Sequence, residues 1–184
     1  MIVIRPVRQE DADELFPQVF RSPVTATLAW DGPGSREEYQ ANIAEFAEKT
    51  RAGLIHMFTI VESGSGGPVG NIDVRPYADG YRADIGLWIG QAYHGKGYGT
   101  AAISLAVEYG FERVQLQKIE ARVFVGNHAS RRAFEKNGFV LEGTVRRAIR
   151  KRGQFVDEWL MGCCRKNSAG FLRSLAYNRC LCAT

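Results

Sequence analysis

The residues best placed to do chemistry form one stretch, His94-Gly95-Lys96-Gly97-Tyr98-Gly99-Thr100, lying between an apolar run and a segment with helical spacing. Glycines let successive backbone N–H groups face one concavity and approach oxygen atoms closely, and a helix beginning there adds the positive end of its dipole. Such an arrangement captures anions, and a pyrophosphate is its natural guest. A Walker loop needs Lys followed by Ser or Thr, whereas Lys96 is followed by Gly97. A dinucleotide fingerprint needs G-x-G-x-x-G, whereas Gly95, Gly97 and Gly99 are spaced two and two. A glycine-rich turn that only joins strand to helix has the same composition, so the loop alone leaves both readings open. His56, His94 and His128 are far apart, and Cys163, Cys164, Cys180 and Cys182 lack paired C-x-x-C spacing. No metal is expected, the thiols are expected to be reduced, and no nucleophile-and-base pair suggests an acyl-enzyme.

The elements that must position this loop follow from periodicity. Ile2, Ile4 and Val7 predict a first strand, and Asp11 to Phe20 a helix whose acidic start suits its dipole. Ser35 and Glu38 form a capping box for a helix ending near Arg51. His56 to Val61 and Val69 to Arg75 make a hairpin, and Ala83 to Ile89 reads as a buried strand. A helix from Gly97 to Val114, a strand from Ile119 to Val125 and a short helix from Asn127 to Asn137 follow. Phe139 to Thr144 and Phe155 to Met161 close the order β-α-α-β-β-β-α-β-α-β-β.

With 184 residues, 45% hydrophobic and 24% charged, the chain has the composition of one globular domain, and the stretch from 167 to 184 reads as an extension of unassigned role. No apolar run approaches the roughly 18 residues of a membrane span, so no membrane partner is expected. The N-terminal pattern is that of neither a signal nor a transit peptide, and the expected compartment is the cytoplasm. The net charge of +4 is concentrated between Arg146 and Arg152, without the interleaved aromatics of a nucleic-acid interface, so nucleic acid is not the expected partner. Self-association as a homodimer is left open.

The order His94, Gly97, Gly99, then Asn127-His-Ala-Ser130, then Glu135-Lys-Asn-Gly138-Phe139 resembles the GNAT superfamily of N-acetyltransferases over roughly residues 1 to 165. Arg82 to Ile89, Gly95 to Thr100 and Leu141-Glu-Gly143 look most like its Rim-type branch, which acetylates protein N-termini. The resemblance implies a single α/β (α+β) domain over 1–166, with a central mixed, mostly antiparallel sheet flanked by helices. It implies acetyl-CoA as cosubstrate, held at its pyrophosphate by His94, Gly95, Lys96, Gly97, Tyr98, Gly99 and Thr100. His94 departs from the usual Gln or Arg, which leaves the backbone as the main contributor. The strand ending in Leu87, Trp88 and Ile89 is implied to splay from its neighbour and offer backbone groups to the pantetheine arm. Trp88 belongs either to the core or to the acceptor pocket.

Transfer from a thioester to an amine requires a neutral amine, a polarised carbonyl and a proton for the departing thiolate. The position at which many relatives carry the acidic Tyr is Phe134 here, so the resemblance assigns that role to Ser130 and cofactor orientation to Asn127. Either residue could instead simply cap the short helix. The Rim-type carboxylate would fall near Ile149, which cannot accept a proton, leaving Asp84 as the first candidate base, with Asp73 and Glu142 behind it. Ordered water, or an acceptor with a low pKa of its own, would dispense with a base. Arg131 is preferred near the phosphates, and the Arg146–Arg152 run is either a second anion site or a solvated hairpin turn around Gly153. The acceptor pocket is expected from residues 24–30, 77–81 and 155–159. The expected acceptor is the α-amino group of a peptide or protein, with a small amine, or a non-catalytic CoA-binding sensor, as alternatives.

Overall fold

A computed structural model describes residues 1–165; the expected extension from 167 to 184, with Cys180 and Cys182, lies outside the described residues. Seven strands, β1 (Ile2–Pro6), β2 (His56–Glu62), β3 (Pro68–Pro76), β4 (Arg82–Ile89), β5 (Lys118–Phe124), β6 (Val140–Lys151) and β7 (Gln154–Cys164), form one sheet in the order β1-β2-β3-β4-β5-β7-β6. Its helices are α1 (Asp11–Val19), α2 (Arg36–Arg51), α3 (Tyr98–Glu112) and α4 (His128–Glu135). All neighbouring strands are antiparallel except β4 and β5, which run parallel and are joined through α3.

Period-two alternation divides the sheet into two chemically distinct faces. Ile72, Val74, Ala83, Ile85, Ile119, Ala121 and Val123 are buried on one, packed with Ala102, Ile103, Ala106, Val107 and Phe111 of α3. The other face carries Asn71, Asp73 and Arg75 from β3, Asp84, Gly86 and Trp88 from β4, and Glu120 and Arg122 from β5. It is only partly covered by a second apolar cluster built from Leu15, Val19, Tyr39 and Ile43 with Phe16, Trp30, Phe46 and Trp88. The polar face therefore borders a hollow.

Local signals set the helix starts. Ser35 Oγ accepts the Glu38 N–H at 3.1 Å, while Glu38 Oε2 folds back to accept the Gly34 N–H at 2.8 Å. Asp11 does more than complement the α1 dipole. It is buried, and it accepts hydrogen bonds from both terminal nitrogens of Arg5 (2.8 and 2.5 Å), from Thr59 Oγ1 (2.6 Å) and from the Arg8 N–H (2.9 Å), tying α1 to β1 and β2. Burial pushes its carboxyl up, but these bonds hold it below the ordinary carboxylate value. Its contribution is fully present above the ordinary carboxylate pKa of about 3.9 and is lost as the pH falls toward its lower folded value. Asp11→Asn is expected to cost about 1–3 kcal/mol near neutrality and to flatten the acid limb of stability. Thermal melts of both proteins at descending pH check this.

Candidate active site

The glycine loop has the backbone that anion capture needs. Gly95 and Gly97 sit at φ +77° and +79°, left-handed conformations that side chains resist, and a Cβ at either would meet nothing within 4 Å. Both glycines therefore border open space. Gly97 caps α3 without any side-chain hydrogen bond, leaving the first-turn N–H groups of the helix uncapped by a side chain. The side chains of the loop turn elsewhere. His94 Nε2 lies 2.8 Å from the Ile89 carbonyl, which only accepts, so this nitrogen carries the proton and ties the loop to the end of β4. The Lys96 ammonium sits over the Tyr93 and Tyr98 rings at 5.0 and 5.8 Å, close to Glu62, to which Tyr98 also donates. Backbone, then, is what this loop presents to an anion, and these residues fit a pyrophosphate.

The sheet opens beside it. Pairing of β4 with β5 covers only Arg82↔Lys118, Ala83↔Ile119 and Asp84↔Glu120, although β4 continues to Ile89 and β5 to Phe124. The last five residues of β4 thus have no ladder partner on that side, and unpaired backbone groups there can bind an extended, amide-bearing molecule. One cavity of about 1090 Å³ runs from Gly95, Gly97, Gly99 and Thr100 past Leu87, Trp88 and Ile89 to the polar sheet face. Trp88 packs on the α1/α2 cluster and also lines the cavity.

At the start of α4 the capping geometry separates two readings. Asn127 Oδ1 accepts the Ser130 backbone N–H at 3.2 Å, so Asn127 is the cap and the Ser130 hydroxyl is not used for it. Asn127, Ser130 and Phe134 all line the cavity. Arg131, expected near the phosphates, is not among the cavity-lining residues: it pairs with Glu135 at 2.7 Å and lies over the Trp159 ring at 4.8 Å.

On the polar face, Arg75 Nη2 reaches Asp84 Oδ2 at 2.5 Å and Arg75 Nε stands 3.4 Å from Asp73 Oδ1. Burial raises the Asp84 carboxyl against the pull of Arg75. It pushes Asp73 up to about 6, opposed by Arg75 and the Gly86 N–H and reinforced by the Asp84 charge. Glu142, the third candidate base, is exposed, pairs with Lys118 at 2.8 Å, and lies outside the cavity lining. Arg122 and Glu158, 3.5 Å apart, complete the charged lining.

The walls only partly follow expectation. Val24 and Thr27 to Trp30 line the cavity, whereas residues 77–81 do not: Tyr77 and Tyr81 pack on Arg82 instead. From 155–159 only Glu158 contributes, and Ile149 contributes from β6. Within the basic run, Lys151 is buried, and its ammonium donates to the Trp30 carbonyl at 2.8 Å and pairs with Asp31 at 2.6 Å. A strap across the whole chain thus fixes one cavity wall. Tyr39, Asn42 and Phe46 of α2 also line it; they were not anticipated and carry no local signal. Arg75 was also missed, although the polar alternation of Asn71, Asp73 and Arg75 between Ile72 and Val74 marks one polar strand face.

Among the described residues, no group of three or more His, Cys, Asp or Glu is placed to hold a metal ion, and no helix is long and apolar enough to cross a membrane. The family model described as "Acetyltransferase (GNAT) domain" matches residues 2–140. The chain is 28% identical over 172 residues to "Probable N-acetyltransferase YjcK" of Bacillus subtilis, covering 87% of this chain and 92% of that one. Its fold is similar to that of Mycobacterium smegmatis RimJ in complex with CoA-disulfide (TM-score 0.83, 22% identity, 94% of this chain and 88% of that one). It is also similar to spermidine N-acetyltransferase from Vibrio cholerae in complex with CoA and spermine (TM-score 0.79, 19% identity, 91% and 98%).

Proposed function

The chain belongs to the GNAT acetyltransferase family and is an N-acetyltransferase, and from that premise we propose that it moves the acetyl group of acetyl-CoA to the α-amino group of a peptide or protein. The backbone of Gly95 to Gly99 would hold the pyrophosphate, the unpaired end of β4 at Leu87 to Ile89 the pantetheine amides, and Asn127 the thioester end. The amine nitrogen attacks the carbonyl carbon, an N–C bond forms, the C–S bond breaks, and Ser130 donates a hydrogen bond to the charge developing on sulfur. The choice of acceptor rests on the charge inventory of the acceptor limb.

That inventory is nearly balanced. Asp73, Asp84 and Glu158 oppose Arg75 and Arg122, an excess of one negative charge beside the apolar walls of Trp30, Phe46 and Trp88. One excess charge suits one ammonium, whereas a polyamine would require a larger surplus of carboxylates over guanidiniums. An α-amino group, with a pKa of about 8, is also far easier to deprotonate than a lysine side chain. The test is a peptide with a free N-terminus and one internal lysine, its N-blocked twin, and spermidine. Acetylation of the free α-nitrogen alone is expected, and fragmentation mass spectrometry locates the group. Acetylation of spermidine in preference to every peptide would replace this reading with a small-amine one.

The Lys151 strap supplies a second expectation. Lys151→Ala leaves the Trp30 carbonyl without its donor and loosens one acceptor wall, so the peptide KM should rise several-fold. Acetyl-CoA affinity, measured by calorimetry, should not change.

A further inference from the structure

Folded chains seldom bury polar atoms without partners, because each such atom has given up its bonds to water with nothing in return. Here Tyr39 Oη, Asn71 Oδ1, Asp73 Oδ1 and Asp84 Oδ1 are buried without hydrogen-bond partners, and all four residues line the same cavity. Three of these atoms can only accept. The Asn71 amide nitrogen is already directed to the Phe58 carbonyl at 3.3 Å, which leaves its oxygen facing away from that bond. A cluster of acceptors that lack a hydrogen-bond donor, two of them oxygens of carboxylates that share the single Arg75 guanidinium, is a site for a further donor-rich cation.

Within the cluster the two carboxylates differ. Asp84 is committed through its other oxygen to a 2.5 Å ion pair with Arg75, while Asp73 stands 3.4 Å from the same guanidinium, beyond a good hydrogen bond. The residue directly across the ladder from Asp73 is Gly86, in the part of β4 that β5 leaves unpaired. A Cβ there would come within 3.4 Å of Asp73 Oδ1 and 3.1 Å of Arg75 Nη2, so the glycine keeps the approach to the carboxylate open. We propose that Asp73, rather than the expected Asp84, receives the ammonium of the acceptor and takes its proton, with Arg75 and Asp84 as positioning residues. This rests on the reading of the cavity as an amine site.

The step balances. One ammonium proton passes to the Asp73 carboxylate and then to solvent, and the neutral amine forms the new N–C bond as the C–S bond breaks. A second proton from that nitrogen ends on the released thiol. The titratable and charged groups sharing this sheet face are Arg5 on β1, Arg75 on β3, Arg82 and Asp84 on β4, Lys118, Glu120 and Arg122 on β5 and Glu158 on β7, with Asp11 from α1 and Tyr39 from α2 reaching in. Burial among them places the Asp73 carboxyl at about 6. Because the ammonium binds and the carboxylate must be free, kcat/KM should be bell-shaped, falling below about pH 6 and again above the α-amine pKa of about 8.

The experiment measures that profile for the wild type, Asp73→Asn and Asp84→Asn, with acetyl-CoA calorimetry confirming that each variant is folded. Asp73→Asn is expected to lose at least about 100-fold in kcat/KM and the acid limb with it. Asp84→Asn should lose less and keep the limb, moved to lower pH because a like charge is gone. A wild-type profile that climbs through about pH 8 without turning over, or an acid limb that survives Asp73→Asn and vanishes in Asp84→Asn, overturns the proposal. A carbon-13 titration of the aspartate carboxyls of the acetyl-CoA-free protein, with and without a free N-terminal peptide, supplies a readout independent of turnover. The Asp73 signal should titrate at about 6 and move with the peptide. If no amine is turned over, the peptide reading fails by itself, and an Asp73 signal that still ignores the peptide's ammonium overturns this inference too.

Discussion

Ser130→Ala should lower kcat by about 10²–10³-fold, the usual consequence of removing one donor aimed at charge that develops in the transition state, while acetyl-CoA binds as before. Three observations make the substitution clean. The α4 cap is Asn127 Oδ1 on the Ser130 backbone N–H, a bond that alanine keeps. Alanine favours the helix interior more than serine does. Ser130 lines the cavity beside Phe134, which has no proton to give, so no neighbouring hydroxyl on that helix face substitutes for it. A serine hydroxyl is a weak acid, and the part proposed for it is to donate a hydrogen bond to the departing sulfur rather than to release a free proton. Steady-state kinetics with saturating peptide, alongside calorimetry, separate the outcomes: equal kcat in both proteins removes Ser130 from the mechanism.

Gly97→Val should weaken acetyl-CoA binding by about 10- to 100-fold with little change in melting temperature. A β-branched residue at φ +79° costs about 1–3 kcal/mol, and at about 1.36 kcal/mol per tenfold that range spans the expected change. The loop is exposed and nothing lies within 4 Å of the added Cβ, so the fold tolerates the side chain. The free loop relaxes to a conformation valine accepts, and binding must then restore the left-handed turn that directs the backbone N–H groups inward. The variant side chain also occupies the open space the anion would fill. Calorimetric titration reads the affinity, and a dissociation constant unchanged from the wild type would show that this cradle does not hold the cosubstrate.

The elements were legible because their patterns are local. Alternation over His56 to Val61 and Val69 to Arg75, the helical run after Gly97 and the Ser35–Glu38 box all appear where periodicity places them. Strands β6 and β7 run further than expected, to Lys151 and from Gln154. The stretch from Val145 to Ile149 carries no alternating signal because the register shifts there, and the hairpin closes on Arg152 and Gly153, both at positive φ. The left-handed glycine loop was visible in sequence because few residues other than glycine hold those angles. The acceptor limb was not. Trp30 is positioned by Lys151, 121 residues away, and Asp73 differs from Asp84 in standing 3.4 Å rather than 2.5 Å from Arg75 and in lying opposite Gly86. Neither distinction has a footprint in residue spacing.

A continuous cavity proposed to bind acetyl-CoA at the glycine loop and to deliver its acetyl group to an amine on the polar sheet face makes a simple demand on experiment. The decisive measurement titrates the protein with acetyl-CoA in a calorimeter and then follows thiol release on addition of a peptide with a free N-terminus. One saturable site and amine-dependent thiol release are predicted. Binding without thiol release on any amine would make the cavity a sensor, and no binding heat at all would contradict the assignment of the glycine loop, the splayed sheet and the cavity to acetyl-CoA.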